Sequence, residues 1–172
     1  MSFDLFLSRF SSGSESSVDR SAVLEVLRRH CNDTEGEFGF YTVPFEDGSR
    51  VEFSARGLES GGEFNGCAFH LRHFSKNVIS FVYEVALAGD MVIFNAQGSD
   101  TPEEPLAVAV NEHQVDQLPA GAASNPAICS SPDELAHLLG VTFEQWDDYR
   151  NHVLGKSSSK LNRPGFRGGH LV

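Results

Sequence analysis

Hydrophobic residues first alternate with polar ones. In "SFDLFLSRF" Phe3, Leu5 and Leu7 share one face and Asp4, Phe6 and Ser8 the other, the two-residue period of a β-strand; the additional Phe6 leads us to expect cover on both faces of it. "SSGSESS" interrupts the pattern. Asp19 then stands as N-cap to "RSAVLEVLRRHC", where Val23, Leu24 and Leu27 fall at helical spacing and Arg28, Arg29 and His30 occupy the last turn, where positive charge suits the helix dipole. After the loop "CNDTEGE", the run "FGFYTVPFEDGSRVEFSA" reads as two strands about an "EDGS" turn, and "CAFHLRHF" as a further strand after a glycine-rich connection.

The most apolar stretch is Ile79–Gly98, "ISFVYEVALAGDMVIFNAQG". Lys76–Ala88 predicts a helix with Val78, Phe81, Val82, Val85 and Ala86 on its buried face. Gly89 is expected at the left-handed position after it, and "MVIFNA" as a buried strand. The helix is rich in β-branched residues, so burial has to outweigh propensity. "GSDTPEEP" is a polar loop, "LAVAV" a short edge strand, and Asn111–Leu118 a short amphipathic piece. Two more helices carry start signals: Ser131, Pro132 and Glu134 in "SPDELAHLLG", and Thr142 with Gln145 in "TFEQWDDYRNHVLG". The order β-α-β-β-β-α-β followed by helices predicts an α+β two-layer sandwich. Its sheet is mainly antiparallel, with a ferredoxin-like core and a C-terminal helical extension.

Length and charge refine this picture. With 172 residues the chain suits a single domain, taken as 1–155. Residues 156–172 hold Lys156, Lys160, Arg163 and Arg167 and no acid, a basic low-complexity tail expected to be disordered. Residues 1–155 then carry nine basic and 24 acidic side chains, a formal −15. Such a body repels nucleic acid and anionic membranes and attracts a basic protein. No stretch is apolar for the ~18 residues a span needs. The N-terminus lacks the pattern of a signal peptide, so the expected compartment is the cytoplasm.

Two segments carry a resemblance. Ser2–Leu7 and Ile79–Gly98 are similar to a group of short bacterial cytoplasmic proteins that open on an "MS[FY]DLFL"-like strand and later carry a helix, a glycine and an apolar strand. Some of that group look like immunity proteins of interbacterial toxin systems, which bind and block a cognate toxin. "NAQG" departs from the tyrosine- or aspartate-containing strand end usual there. The resemblance implies protein binding and brings no catalytic residues.

Candidate chemistry is sparse. Cys31, Cys67 and Cys129 are an odd number without C-x-x-C spacing, against a disulfide framework or a structural zinc. Cys67, His70 and His73 lie on one expected strand. That strand turns Cys67 and His73 to one face and His70 to the other, too few convergent ligands for zinc. Asp148 and His152 stack on a helix face with no third group nearby. "ESGGEFNG" lacks the lysine and hydroxyl of a phosphate loop, and no G-x-S-x-G elbow occurs. Cys31, at a helix C-terminus, is placed to have its thiol pKa raised. We therefore expect no catalytic, cofactor or metal residues.

The acidic loop "SDTPEE", with Asp100, Glu103 and Glu104, is the candidate partner-binding feature, projecting from a core strand. The expected function is a non-enzymatic protein-binding domain, in its most specific form an immunity-type inhibitor of a basic protein. The alternative is a small enzyme using His70 or His73 with a carboxylate in a cleft between sheet and C-terminal helices. A homodimer through an exposed sheet edge is compatible with either.

Overall fold

A computed structural model describes residues 3–31, 39–72 and 74–140. His73, the helix expected from Thr142 with Asp148 and His152, and the basic tail 156–172 lie outside the described residues, as does most of "CNDTEGE".

Strand β1 (Phe3–Ser8) runs through the middle of a seven-stranded sheet. Beside it lie β6 (Gly66–Leu71) and β7 (Val92–Asn95), both antiparallel. β5 (Arg50–Ser54) follows β6, and β4 (Phe40–Pro44) closes that edge, its last residue a proline with no N–H to offer. Beyond β7 come β8 (Ala107–Ala109) and β9 (Ala127–Ile128), so "LAVAV" is second from the edge, with β9 parallel to it. Helices α1 (Arg20–His30), α2 (Lys76–Gly89) and α4 (Pro132–Leu138) form the second layer, α2 packing between α1 and α4. β1, α1, β5, β6, α2 and β7 stand in the spatial strand order β7-β1-β6-β5, the connectivity of a ferredoxin-like core. β4 extends it at one edge and β8 and β9 at the other. Among the described residues no helix is long and apolar enough to cross a membrane.

Alternation selects the inner face. Leu5, Leu7, Tyr41, Val43, Val51, Phe53, Phe69, Leu71 and Ile93 all point into the helix layer and are buried. Three helices begin on a side-chain cap. Asp19 accepts the Ser21 amide at 3.0 Å, and Ser75, ahead of α2, accepts the Val78 amide at 3.3 Å. Ser131 accepts from Glu134 N at 3.2 Å, while the Glu134 carboxylate reaches back to Ser130 rather than to Ser131. Val78, Phe81, Val82, Val85 and Ala86 are buried as the periodicity requires, with Ile79. That burial offsets the poor propensity of so many β-branched residues.

The end of α2 corrects the expectation for Gly89. Gly89 is the last helical residue, and Asp90 takes the left-handed conformation at φ +52°. Glycine leaves space at 89, since a Cβ there would meet the Met91 side chain and stand 3.0 Å from Val18 Cγ1. Asp90 is held by its partners: Gln114 Nε2 donates to it at 3.0 Å, and Arg9 and His113 lie at 3.4 Å and 3.2 Å. Gln114 belongs to the short helix α3 (His113–Gln117), so one carboxylate ties the β1 end, the α2 end and α3 together.

Burial pushes the Asp90 pKa up, but the hydrogen bonds from Gln114 and His113 and the charge of His113 together outweigh it and hold the carboxyl below its usual range. A depressed folded-state pKa stabilises above the unfolded value, about 3.9, and that contribution is lost as pH falls through the folded value. Asn tolerates the same backbone. We expect Asp90→Asn to cost about 1–2 kcal/mol at neutral pH. The gap to the wild type should narrow as pH falls through the lowered folded value, as read from urea midpoints measured from neutral pH downward.

Candidate functional site

The outer face of the sheet is covered over one half. A small hairpin of β2 (Phe10–Ser11) and β3 (Ser14–Glu15) lies beside α3, with Gly13 N donating to Gln117 O at 3.1 Å and Ser12 N to Gln117 Oε1 at 2.7 Å. Phe10 meets Phe94 edge-on at 5.8 Å. Val92, Ala107 and Ala109 on this half are buried. Over β4, β5, β6 and β1 the described residues leave the face open. Phe6 is therefore 46 % exposed rather than covered, and Phe40 45 %.

Strand register sets the open face in rows. One row reads Phe40, Ser54, Ala68, Phe6, Phe94 across five strands. Adjacent strands lie about 4.8 Å apart, so the Phe6 and Phe40 backbones are ~14 Å apart. Between them stand the small Ser54 and Ala68. The next row reads Thr42, Glu52, His70, Asp4. His70 Nδ1 lies 2.9 Å from Asp4 Oδ1, its ring 6.2 Å from that of Phe40, and Glu52 pairs with Arg72 at 3.0 Å. This face thus has an apolar row and a charged row beside it.

The acidic loop starts beside that charged row, where Ala96 N donates to Asp4 O at 3.4 Å. It brings Asp100, Glu103 and Glu104 together on one loop, but in unlike roles. Asp100, at φ +56°, accepts the Ser124 amide at 2.8 Å and the Asn125 amide at 3.2 Å. Those amide bonds, that from Ser124 foremost, hold its carboxyl below the usual range. Glu104 accepts Ser99 Oγ at 2.6 Å. Asp100 and Glu104 shape the loop and fasten it to residues 124–125, while Glu103 projects at its tip, exposed.

His70 stands on the face opposite the helices, not in a cleft between sheet and C-terminal helices. The period of β6 sends Cys67, Phe69 and Leu71 to the helix side and His70 outward. Among the described residues, the space between the sheet and the helices is filled by the core. The His70 and Asp4 side chains are each 31 % exposed, so the pair is half-buried at the sheet surface. Burial pushes up the thiol pKa of Cys67, and burial with the Glu134 charge raises that of Cys129 to about 11, so neither supplies a thiolate at neutral pH. Among the described residues no group of three or more His, Cys, Asp or Glu side chains is placed to hold a metal ion.

Two features had no local signal in the chain: the network on Asp90, and a concave site where Arg29 and His30 of α1 face Glu84 of α2 across 54 or 55 positions. Compared with protein-family models, curated proteins and solved structures, the chain matches none.

Proposed function

We propose that the chain is a non-enzymatic protein-binding domain whose open sheet face receives a basic, amphipathic surface of another protein. The observation that carries this reading is the pair Phe6 and Phe40, nearly half exposed, on either side of Ser54 and Ala68. Large aromatic side chains left in water around small residues are what an interface core is made of. The Phe40 ring leans across β5 toward His70, so the phenyl rings and the small residues between them form one patch. Asp4 and Glu52 beside it, the acidic loop beginning beside Asp4, and the charge of the body favour a cationic partner. An immunity-type inhibitor of a basic toxin is the narrower form, supported by the resemblance of Ser2–Leu7 and Ile79–Gly98; most of β1 and of α2, and all of β7, fall in those segments.

The test uses a helical peptide with lysine on one face and leucine on the other, titrated into the labelled wild type and a Phe6→Ser/Phe40→Ser variant. Shifts should cluster at Ser54, Ala68 and His70. Affinity should fall about tenfold or more in the variant, the loss of well over 1 kcal/mol expected of interface anchors. It should also weaken as ionic strength rises from ~0.05 to ~0.5 M. Folding stability should change by no more than about 0.5 kcal/mol, because both rings lie at the surface. Shifts confined to another surface, or binding indifferent to both changes, would reject this face. A dimer that the double variant dissolves would reassign it to a second copy.

A further inference from the structure

On the helix side, where the end of α1, the first turns of α2 and the β4–β5 turn converge, the surface forms a half-open depression of about 390 Å³. That lies within the range of small-ligand sites, about 300–1,000 Å³. We propose that it binds a small zwitterion carrying one carboxylate and one ammonium group, a free amino acid or a compound of that class. The site is separate from the outer sheet face and does not depend on the reading given to that face.

Three walls meet there. α1 contributes Arg29 and His30. α2 contributes Asn77, Ser80 and Glu84, three and four residues apart and therefore on one face of the helix. The turn contributes Phe45 and Glu46. The His30 ring is held edge-on between Phe81, at 5.1 Å, and Phe45, at 5.8 Å, so part of the wall is fixed by the core before any ligand arrives.

The charges explain the choice of ligand. Arg29 and His30 both reach the same atom, Glu84 Oε2, at 3.4 and 3.3 Å. These are long, shared contacts, and a guanidinium has five N–H donors in a planar fork. Arg29, its side chain 59 % exposed, can therefore turn that fork onto an incoming carboxylate. Glu84, relieved of part of its pairing, and Glu46 then offer two carboxylates to an ammonium group. The amide of Asn77 and the hydroxyl of Ser80 remain for neutral hydrogen bonds, and Phe45 for an apolar side chain. A simple anion such as phosphate would meet both glutamates, and a simple cation would meet the guanidinium. A molecule with both charges satisfies the two sets at once.

Calorimetric titration of the full chain with the proteinogenic amino acids tests this, with three comparison probes for any that binds: its N-acetyl form, its carboxamide and inorganic phosphate. At least one amino acid should bind. Removing either charge from it, or making Arg29→Gln or Glu84→Gln, should weaken binding about tenfold or more. Arg29→Gln alters an exposed side chain and should fold normally, so it remains decisive if Glu84→Gln does not. Amide shifts in the wild type should include Asn77 and Ser80. The proposal is overturned if no amino acid binds at millimolar concentration, if the blocked forms or phosphate bind as well as the zwitterion, or if Arg29→Gln binds like the wild type.

Discussion

Replacing Phe81 with alanine should cost about 3–5 kcal/mol, the range for deleting a buried phenyl ring. Phe81 lies on the sheet side of α2 and is fully buried. Its ring stands 5.8 Å from Phe69, 6.0 Å from Phe53, 5.9 Å from Phe45 and 5.1 Å from His30. Edge-on aromatic contacts each add roughly 0.5–1.5 kcal/mol beyond the area they bury, and alanine would remove all of them while leaving a cavity the stacked Phe53–Phe69 pair cannot close. Against the roughly 5–15 kcal/mol of an ordinary domain this removes a large share of the stability. Urea unfolding should show the midpoint falling at unchanged slope. Phe81→Leu, which keeps most of the volume, should cost markedly less. A loss below about 1.5 kcal/mol for the alanine variant would mean that this ring is not the keystone between the two layers.

The second large effect is expected at Gly66, the first residue of β6. A Cβ added there would press into the Leu7 carbonyl oxygen of the neighbouring strand and stand 3.0 Å from Ser8 Oγ. The first obstacle is backbone in the central strand, so no rotamer relieves it. Gly66→Ala should therefore cost about 2–3 kcal/mol, toward the upper end for overpacking. The β1–β6 pairing also sets Phe6 opposite Ala68 and Asp4 opposite His70, so the variant should weaken peptide binding at the outer face. Gly62→Ala is the control. Nothing lies within 4 Å of its added Cβ, and stability there should be unchanged or slightly raised by the less flexible unfolded chain. Equal effects at the two glycines in urea titration would exclude the steric account.

Much of this fold was legible one element at a time. The alternation in Phe3–Ser8, the EDGS turn between β4 and β5, the Asp19 and Ser131 caps and the buried stripe of α2 are each written within a few residues. Gly89 was misread because a glycine after a helix ordinarily signals a left-handed turn. Here its missing side chain makes room for Val18 and Met91, residues the local pattern does not link to it. Phe6 was misread because alternation marks the two faces of a strand but not whether a second layer covers the outer one. That depends on how far the β2–β3 hairpin and α3 extend across the sheet. Of the acidic loop, the sequence disclosed position and charge. It did not disclose that the Asp100 carboxylate is engaged by the amides of Ser124 and Asn125, 24 and 25 residues away.

By itself, the sequence determined the α+β class, the order of the elements, the inward residues of each and the excess of negative charge, because caps, turns and periodicity act within a few residues along the backbone. The tertiary structure alone decided which half of the sheet the described residues leave open, and that Phe40, Ser54, Ala68 and Phe6 stand in one row. It alone brought Arg29 and His30 against Glu84 and gathered Arg9, His113 and Gln114 on Asp90. Those arrangements arise from strand register and helix packing, which join residues tens of positions apart once burial of the apolar faces has chosen the topology.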